Sequence, residues 1–177
     1  MRIHITGNAG SGKTTLAKEL GEILNVSVFG LDKVVWKENW VVTPKDERAF
    51  LEKELTSKHE WVIEGVSSVA RQSADYIVFL DIPRSTCLKR GILRSFKQLF
   101  STRQELPNNC LEFKIVHKLI KLIWQFNKLA RPSIISDIKN KYSITISNNN
   151  ELYNFVESVR HNKAFKRDKV LRTLSLH

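Results

Sequence analysis

The 177-residue sequence predicts an α/β fold in which helices cover both faces of a five-stranded parallel sheet, giving three layers. Short apolar segments alternate along the chain with stretches whose apolar residues recur at helical spacing. The first apolar segment leads into a glycine-rich loop and then into a helix. Because 42% of the residues are hydrophobic, one core can form, and we expect residues 1–177 to make a single domain.

The strands are predicted from short runs rich in Ile, Val, Phe and Trp, the last of which alternates apolar and polar residues. In chain order they are residues 2–6, 26–29, 60–65, 75–81 and 143–147. The helices follow from apolar residues spaced three or four apart. They are predicted over about residues 15–24, 44–57, 85–103, 131–141 and 151–159.

The second of these helices has the clearest start signal. Thr43 is expected to be its N-cap and Pro44 its first residue, followed by the acidic Asp46 and Glu47. The side chains expected to face the core are Phe50, Leu51 and Leu55.

The glycine-rich loop fits the pattern G-x-x-x-x-G-K-[ST] between a strand and a helix. Its glycines allow several backbone N–H groups to point at one anion, and the following helix adds the positive end of its dipole. We therefore expect it to bind ATP, with Lys13 at the β- and γ-phosphates and Thr14 as a Mg²⁺ ligand. The expected nucleotide-binding residues are Gly7, Asn8, Ala9, Gly10, Ser11, Gly12, Lys13, Thr14 and Thr15.

A site for the phosphate acceptor is predicted beside this loop. Asp32 follows the carboxyl end of the second strand, where ligands bind in open α/β sheets. It is a candidate to orient or deprotonate the acceptor or to hold a metal-bound water, and the alternative is a helix N-cap or turn residue. Trp36 and Trp40 share one face if their segment is helical, as a stacking wall or as core. Arg48 and Arg71 are further candidates to bind the acceptor, with a surface role as the alternative for Arg48.

Three more side chains are expected to act on the transferred phosphoryl group. Glu64 ends the third strand, where an acid can hold Mg²⁺ through water or activate the acceptor. Arg90 and Arg94 are four residues apart and share a helical face, which suits a phosphoryl group whose charge is spread over three oxygens. Exposed helix arginines are the alternative. The expected catalytic set is Lys13, Asp32, Glu64, Arg90 and Arg94.

Residues 95–130 fit no simple strand–helix unit and are expected to form a helical insertion. Its second half carries an apolar stripe that includes Leu119, Leu122, Ile123 and Phe126. The insertion is either a lid that closes over the phosphates or a permanently packed helix pair. Residues 160–177 are expected to be a basic tail.

The net charge of +11 favours polyanionic partners, nucleotides or nucleic acid, or else simply a solvated basic surface. No run of about 18 uncharged apolar residues occurs, so neither a membrane span nor a membrane partner is expected. The N-terminus enters a strand at once, unlike a signal or transit peptide. Two cysteines without metal-ligand spacing suit a reducing cytosol, so a cytoplasmic location is expected. The oligomeric state stays open.

Over roughly residues 1–158 the chain resembles the adenylate-kinase-like phosphate-loop kinases, and within them the DNA topology modulation proteins. Besides the loop, the resemblance rests on Leu31-Asp32 with Trp36 and Trp40, Glu47-Arg48 with Phe50, residues 61–65, Arg90 with Arg94, Cys110 with Glu112-Phe113, and residues 124–126 leading to Arg131-Pro132. The resemblance implies a phosphate-loop NTPase sheet in nucleotide-kinase order, an acceptor site near Asp32 and Arg48, and lid arginines at Arg90 and Arg94. The chain departs from it in having Glu64-Gly65 where such kinases carry Asp-Gly, and in a less basic, less glycine-rich segment at residues 104–108.

Two functions follow as hypotheses. The first is a kinase that transfers the γ-phosphoryl group of ATP to a nucleoside, nucleotide or other small hydroxyl acceptor. The alternative is a nucleic-acid-associated regulator that binds nucleotide without kinase turnover, as the name of the resembled family suggests. No helix-turn-helix, RNA-binding aromatic motif or zinc knuckle is evident in the sequence, so the first is favoured.

Overall fold

A computed structural model describes residues 1–97 and 116–162 of the chain. Five parallel strands form the main sheet: β1 (Arg2–Gly7), β2 (Val28–Gly30), β5 (Trp61–Glu64), β6 (Tyr76–Leu80) and β7 (Ser143–Ile146). Their spatial order is β2-β5-β1-β6-β7, so β1 lies at the centre with β5 and β6 as neighbours. The predicted five-stranded parallel sheet is thus confirmed, and the carboxyl ends of β1 and β5 meet at one edge.

Eight α-helices are described, and most connect the strands. They are α1 (Lys13–Leu24), α2 (Asp32–Val35), α3 (Lys45–Ser57), α4 (Ser68–Ser73), α5 (Arg84–Lys97), α6 (Val116–Leu129), α7 (Arg131–Ile138) and α8 (Asn149–Asn162). Two short strands, β3 (Trp36–Lys37) and β4 (Val41–Val42), form a hairpin around a 3₁₀ turn (Glu38–Trp40) between α2 and α3. The predicted helices agree with α1, α3, α7 and α8 to within a few residues, and the helix predicted over residues 85–103 agrees with α5 up to Lys97, beyond which it lies outside the described residues.

The core has two parts because β1 alternates its side chains between the two faces of the sheet. Ile3 and Ile5 pack with α1 and α8 on one face. The other face buries Ile63 and Ile77 beneath α4, and Phe126 and Ile134 pack against the same sheet through Phe79. Because both faces are covered, β5 and β6 are apolar at nearly every position.

Three local predictions are wrong. Pro44, not Thr43, is the N-cap residue of α3, and it offers no side-chain hydrogen bond, while Thr43 is buried. Phe50 is 68% exposed, because only the Leu51 and Leu55 side of α3 meets the core. Leu122, expected on one apolar stripe with Ile123 and Phe126, is exposed whereas those two are buried.

The insertion predicted over residues 95–130 is described only in part. Helix α6, its second half, packs against α5 and buries Ile123 and Phe126, which favours a packed helix over a moving lid for this part. The first half, with Cys110 and residues 104–108, lies outside the described residues. So does the predicted basic tail beyond Asn162, whereas Arg160 belongs to α8. Among the described residues, no helix is long and apolar enough to cross a membrane.

Candidate functional site

The glycine-rich loop lies where β1 ends and α1 begins, at the carboxyl edge of the sheet. Gly10 and Gly12 have φ angles of 77° and 101°, a left-handed region that glycine adopts without strain. A Cβ on Gly10 would lie 2.5 Å from the carbonyl oxygen of Cys87, so the loop is pressed against α5 there. A Cβ on Gly12 would meet nothing within 4 Å, so this side of the loop is open. An anion can therefore approach the N-terminus of α1 from the side of Gly12.

Asn8 fixes the loop from behind. It is buried, and its Nδ2 donates to the carbonyl oxygen of Ile123 on α6 at 3.0 Å. Its Oδ1 accepts from the backbone N–H of Ala9 at 2.8 Å. Sequence reasoning assigned Asn8 to nucleotide binding. The structure gives its side chain a supporting role that no local pattern indicates, since its partner is 115 residues away.

Lys13 lies across the loop, where its Nζ donates to the carbonyl oxygen of Asn8 at 2.9 Å. Burial lowers the pKa of Lys13, although the charges of Glu64 and Asp32 act in the opposite direction. Arg94 adds to the lowering because it is a second positive charge nearby. The negative charge of a bound phosphate would raise the pKa of Lys13 again.

Thr14 and Glu64 meet at the same place. The Thr14 hydroxyl donates to Oε1 of Glu64 at 3.1 Å, and Glu64 is only 4% exposed at the end of β5. The longer side chain of Glu64, where the resembled kinases have Asp, therefore reaches the helix directly. A hydroxyl and a carboxylate are the hard oxygen donors that Mg²⁺ prefers, so the residues present fit that ion.

Arg90 and Arg94 approach the loop from α5. Nη1 of Arg90 donates to the carbonyl oxygen of Ser11 at 3.4 Å, and its Nη2 donates to Oδ1 of Asn149 at 2.8 Å. Arg94 lies near enough to Lys13 to influence its pKa. The structure thus brings together four of the five expected catalytic residues around the loop. The fifth, Asp32, is the first residue of α2, and its charge raises the pKa of Lys13.

A cavity of about 560 Å³ opens beside Thr14 and Glu64. Its walls are mostly apolar, and charged side chains stand among them. The lining residues are Thr14, Lys18, Val28, Phe29, Gly30, Lys33, Val34, Leu51, Glu54, Leu55 and Glu64. This volume suits a small organic molecule. Sequence reasoning missed Lys18, Lys33 and Phe29, although all three flank the loop or the end of the second strand.

The remaining acceptor candidates do not line this cavity. Arg48 is placed beside Glu52, with Nε and Oε1 3.9 Å apart. Trp36 and Trp40 meet edge to face with ring centroids 5.2 Å apart, within the hairpin rather than on a helix. The structure does not bring these three side chains to the cavity, and their role in binding the acceptor stays a prediction.

Arg71 is buried on α4 and held by α7. Its Nε donates to Oδ2 of Asp137 at 2.6 Å and its Nη2 to Oγ of Ser133 at 3.0 Å. Two of its nitrogens therefore hold α4 against α7. Its assignment to acceptor binding also stays a prediction.

His4 is a second buried titratable group near the loop. It is completely buried in β1, where its Nδ1 lies 3.1 Å from the carbonyl oxygen of Ile63. Burial lowers its pKa to about 3, and the charges of Arg71 and Lys13 contribute. His4 is therefore neutral at physiological pH, with Nδ1–H donating to Ile63.

No protein-family model and no curated protein sequence matches the chain. Among solved structures it is similar to shikimate kinase from Acinetobacter baumannii in complex with shikimate, with a TM-score of 0.55 and 17% sequence identity over 93% of this chain and 95% of that chain. The fold is that of the phosphate-loop NTPases. At this identity the similarity establishes the fold alone, and the narrower resemblance to DNA topology modulation proteins stays a prediction.

Proposed function

We propose that the protein is an ATP-dependent phosphotransferase acting on a small hydroxyl-bearing molecule in the cytoplasm. One arrangement carries the proposal: Lys13 and Arg90 contact the glycine-rich loop, whose Gly12 side is open, and the adjoining Thr14–Glu64 pair lines a cavity. The similarity to shikimate kinase supports it, because that protein has the same fold and its name describes a kinase of a small molecule.

Each group has a defined task in this proposal. The backbone N–H groups of residues 7–15 hold the phosphates of ATP, and Lys13 neutralises the β- and γ-phosphates. Thr14, with Glu64 beside it, holds Mg²⁺, which supplies charge neutralisation between the phosphates. Arg90 and Arg94 stabilise the negative charge on the transferred phosphoryl group.

The acceptor occupies the cavity in this proposal, with its hydroxyl toward Glu64 and its body against Phe29, Leu51 and Leu55. Asp32, at the start of α2, orients the acceptor hydroxyl or accepts its proton. Apolar walls exclude water from the phosphoryl group, which reduces hydrolysis of ATP.

The proposal is tested by measuring ADP release with nucleosides, nucleoside monophosphates and small hydroxylated metabolites as acceptors. At least one should raise the rate above that with water alone. Lys13→Ala should then lower that rate roughly 100-fold or more, the scale seen when one preorganised electrostatic group is removed. If ATP binds with Mg²⁺ but no acceptor is turned over, the nucleotide-binding regulator is favoured instead.

A further inference from the structure

Among the residues that the structure describes, the net positive charge is concentrated on one pair of helices. Helices α5 and α6 contain eight Lys and Arg residues and no Asp or Glu. Residues 1–83 and 130–162 together contain 14 basic and 15 acidic residues, so the rest of the fold is nearly neutral. Only Arg90 and Arg94 of the eight are used by the proposed nucleotide site. The other charges on these helices have no role in phosphoryl transfer.

The outward side of α6 combines these charges with exposed apolar groups. We call it the basic face of α6 and define it by Lys118, Lys121, Leu122, Trp124, Lys128 and Leu129. Leu122, Trp124 and Leu129 are 58%, 61% and 67% exposed. Lys121, Trp124 and Lys128 are spaced three and four residues apart, so they share one side of the helix. The opposite side, with Ile123 and Phe126, is buried in the core.

Trp124 is held in place on this face. The guanidinium of Arg84 lies 4.8 Å from the centre of its ring, and Nη1 of Arg84 donates to the carbonyl oxygen of Trp124 at 3.3 Å. An indole fixed at the surface beside lysines is typical of groups at a membrane–water interface, where the ring is half apolar and the N–H is solvated.

We propose that the basic face of α6 docks on the surface of an anionic lipid bilayer. Lys118 and Lys128 are ten residues apart, which corresponds to about 15 Å along the helix. Charges at this spacing can contact an extended anionic surface but not one small anion. Leu122, Trp124 and Leu129 enter the headgroup boundary while the lysines contact anionic headgroups. Nucleic acid would pair with the lysines but leave the exposed leucines in water, so lipid is the better match.

This contact is peripheral, because α6 keeps its buried side in the core and the described helices include none that could span a bilayer. It departs from the sequence expectation that no membrane is a partner. That expectation rested on the absence of a spanning segment, which does not bear on surface docking. None of the six residues lines the cavity, so the contact lies apart from the proposed acceptor site.

The test is cosedimentation of the full chain with vesicles of phosphatidylcholine alone and of phosphatidylcholine with 20–30% phosphatidylserine, compositions chosen to be roughly those of anionic cell membranes. Binding to the mixed vesicles only, weakening as salt is raised, is the expected result. Each lysine near such a surface is worth roughly fivefold in partition. The double variant Lys121→Glu and Lys128→Glu should therefore bind at least about tenfold more weakly.

A matched variant controls for net charge. Lys45→Glu with Lys53→Glu makes the same change on the exposed side of α3 and should bind vesicles nearly as the unchanged protein does. Leu122→Ser with Leu129→Ser should weaken binding without changing charge. The proposal would be overturned if the two lysine double variants lost vesicle binding equally, or if the unchanged protein did not bind the mixed vesicles at low salt. Retention on double-stranded DNA without vesicle binding would overturn it as well.

Discussion

The carboxylate of Glu64 offers the sharpest test of the proposed site. Glu64→Gln keeps the side-chain length and an oxygen that can accept from the Thr14 hydroxyl, now 3.1 Å from Oε1. What is lost is one negative charge in a group that is only 4% exposed. Because the hydrogen bond and the packing are retained, the free energy of unfolding should change by less than about 1 kcal/mol.

The effect on function should be much larger. At an effective dielectric constant of about 20, two unit charges 4 Å apart interact by roughly 4 kcal/mol, so a buried carboxylate near Mg²⁺ contributes strongly to its binding. We expect ADP release to fall by roughly 100- to 1,000-fold. The pKa of Lys13 should fall further, because the charge of Glu64 is the largest influence that opposes the effect of burial.

The assay does not require the acceptor to be known. ATP affinity is measured by calorimetry with excess Mg²⁺ and again with EDTA, and the ratio of the two dissociation constants reports the metal contribution. This ratio should approach one in Glu64→Gln and stay unchanged in Glu22→Gln, an exposed position on α1. Unchanged Mg²⁺ dependence in the Glu64 variant, with its melting temperature preserved, would refute the assignment of Glu64.

Three further predictions concern the loop and the strand before it. Gly12→Ala should keep the fold, at a cost of about 1–3 kcal/mol for its positive φ, yet abolish ATP binding by filling the open side of the loop, whereas Gly10→Ala should lower the melting temperature more because its Cβ meets backbone. Equal melting temperatures for the two would contradict this. Asn8→Ala should lower the free energy of unfolding, measured by urea denaturation, by about 1–3 kcal/mol because the carbonyl of Ile123 loses its donor. An unchanged midpoint of urea unfolding would show that this hydrogen bond does not stabilise the fold. The pKa of His4 is lowered from 6.5 in the unfolded chain to about 3 in the folded protein. As the pH falls below 6.5, the unfolded chain therefore takes up a proton before the folded protein does, and the free energy of unfolding decreases until the pH reaches about 3. At pH 5 the loss is about 2 kcal/mol relative to pH 7, and a His4→Leu variant that keeps this pH dependence would exclude His4 as its source.

The fold could be predicted from sequence because its signals are local. The loop pattern follows directly on a short buried strand, and the other sheet strands are brief apolar runs bounded by polar or glycine residues. Errors occurred where the surroundings decide the outcome. Phe50 has the helical spacing of a core residue, yet α3 covers the sheet with only part of its circumference, so the ring stays in solvent.

Candidate residues for the site could be named from the sequence, but their pairings could not. Thr14 and Glu64 are 50 residues apart, and they meet because β1 and β5 are adjacent in the sheet. Arg90 and Ser11 are 79 residues apart and meet only because α5 packs beside the loop. Arg71 shows the opposite case. Its partners Asp137 and Ser133 lie more than 60 residues later, so sequence alone could not show that two of its nitrogens are engaged in packing.

Helix α6 joins two parts of the molecule through a single side chain. Asn8 links the glycine-rich loop to the Ile123 carbonyl, and Trp124, the next residue, is exposed to solvent on the other side of that helix. Sliding α6 by even one residue would break that hydrogen bond. Any ligand that fixes the position of α6 would therefore change nucleotide affinity, and thermodynamic reciprocity requires bound nucleotide to change the affinity for that ligand by the same factor.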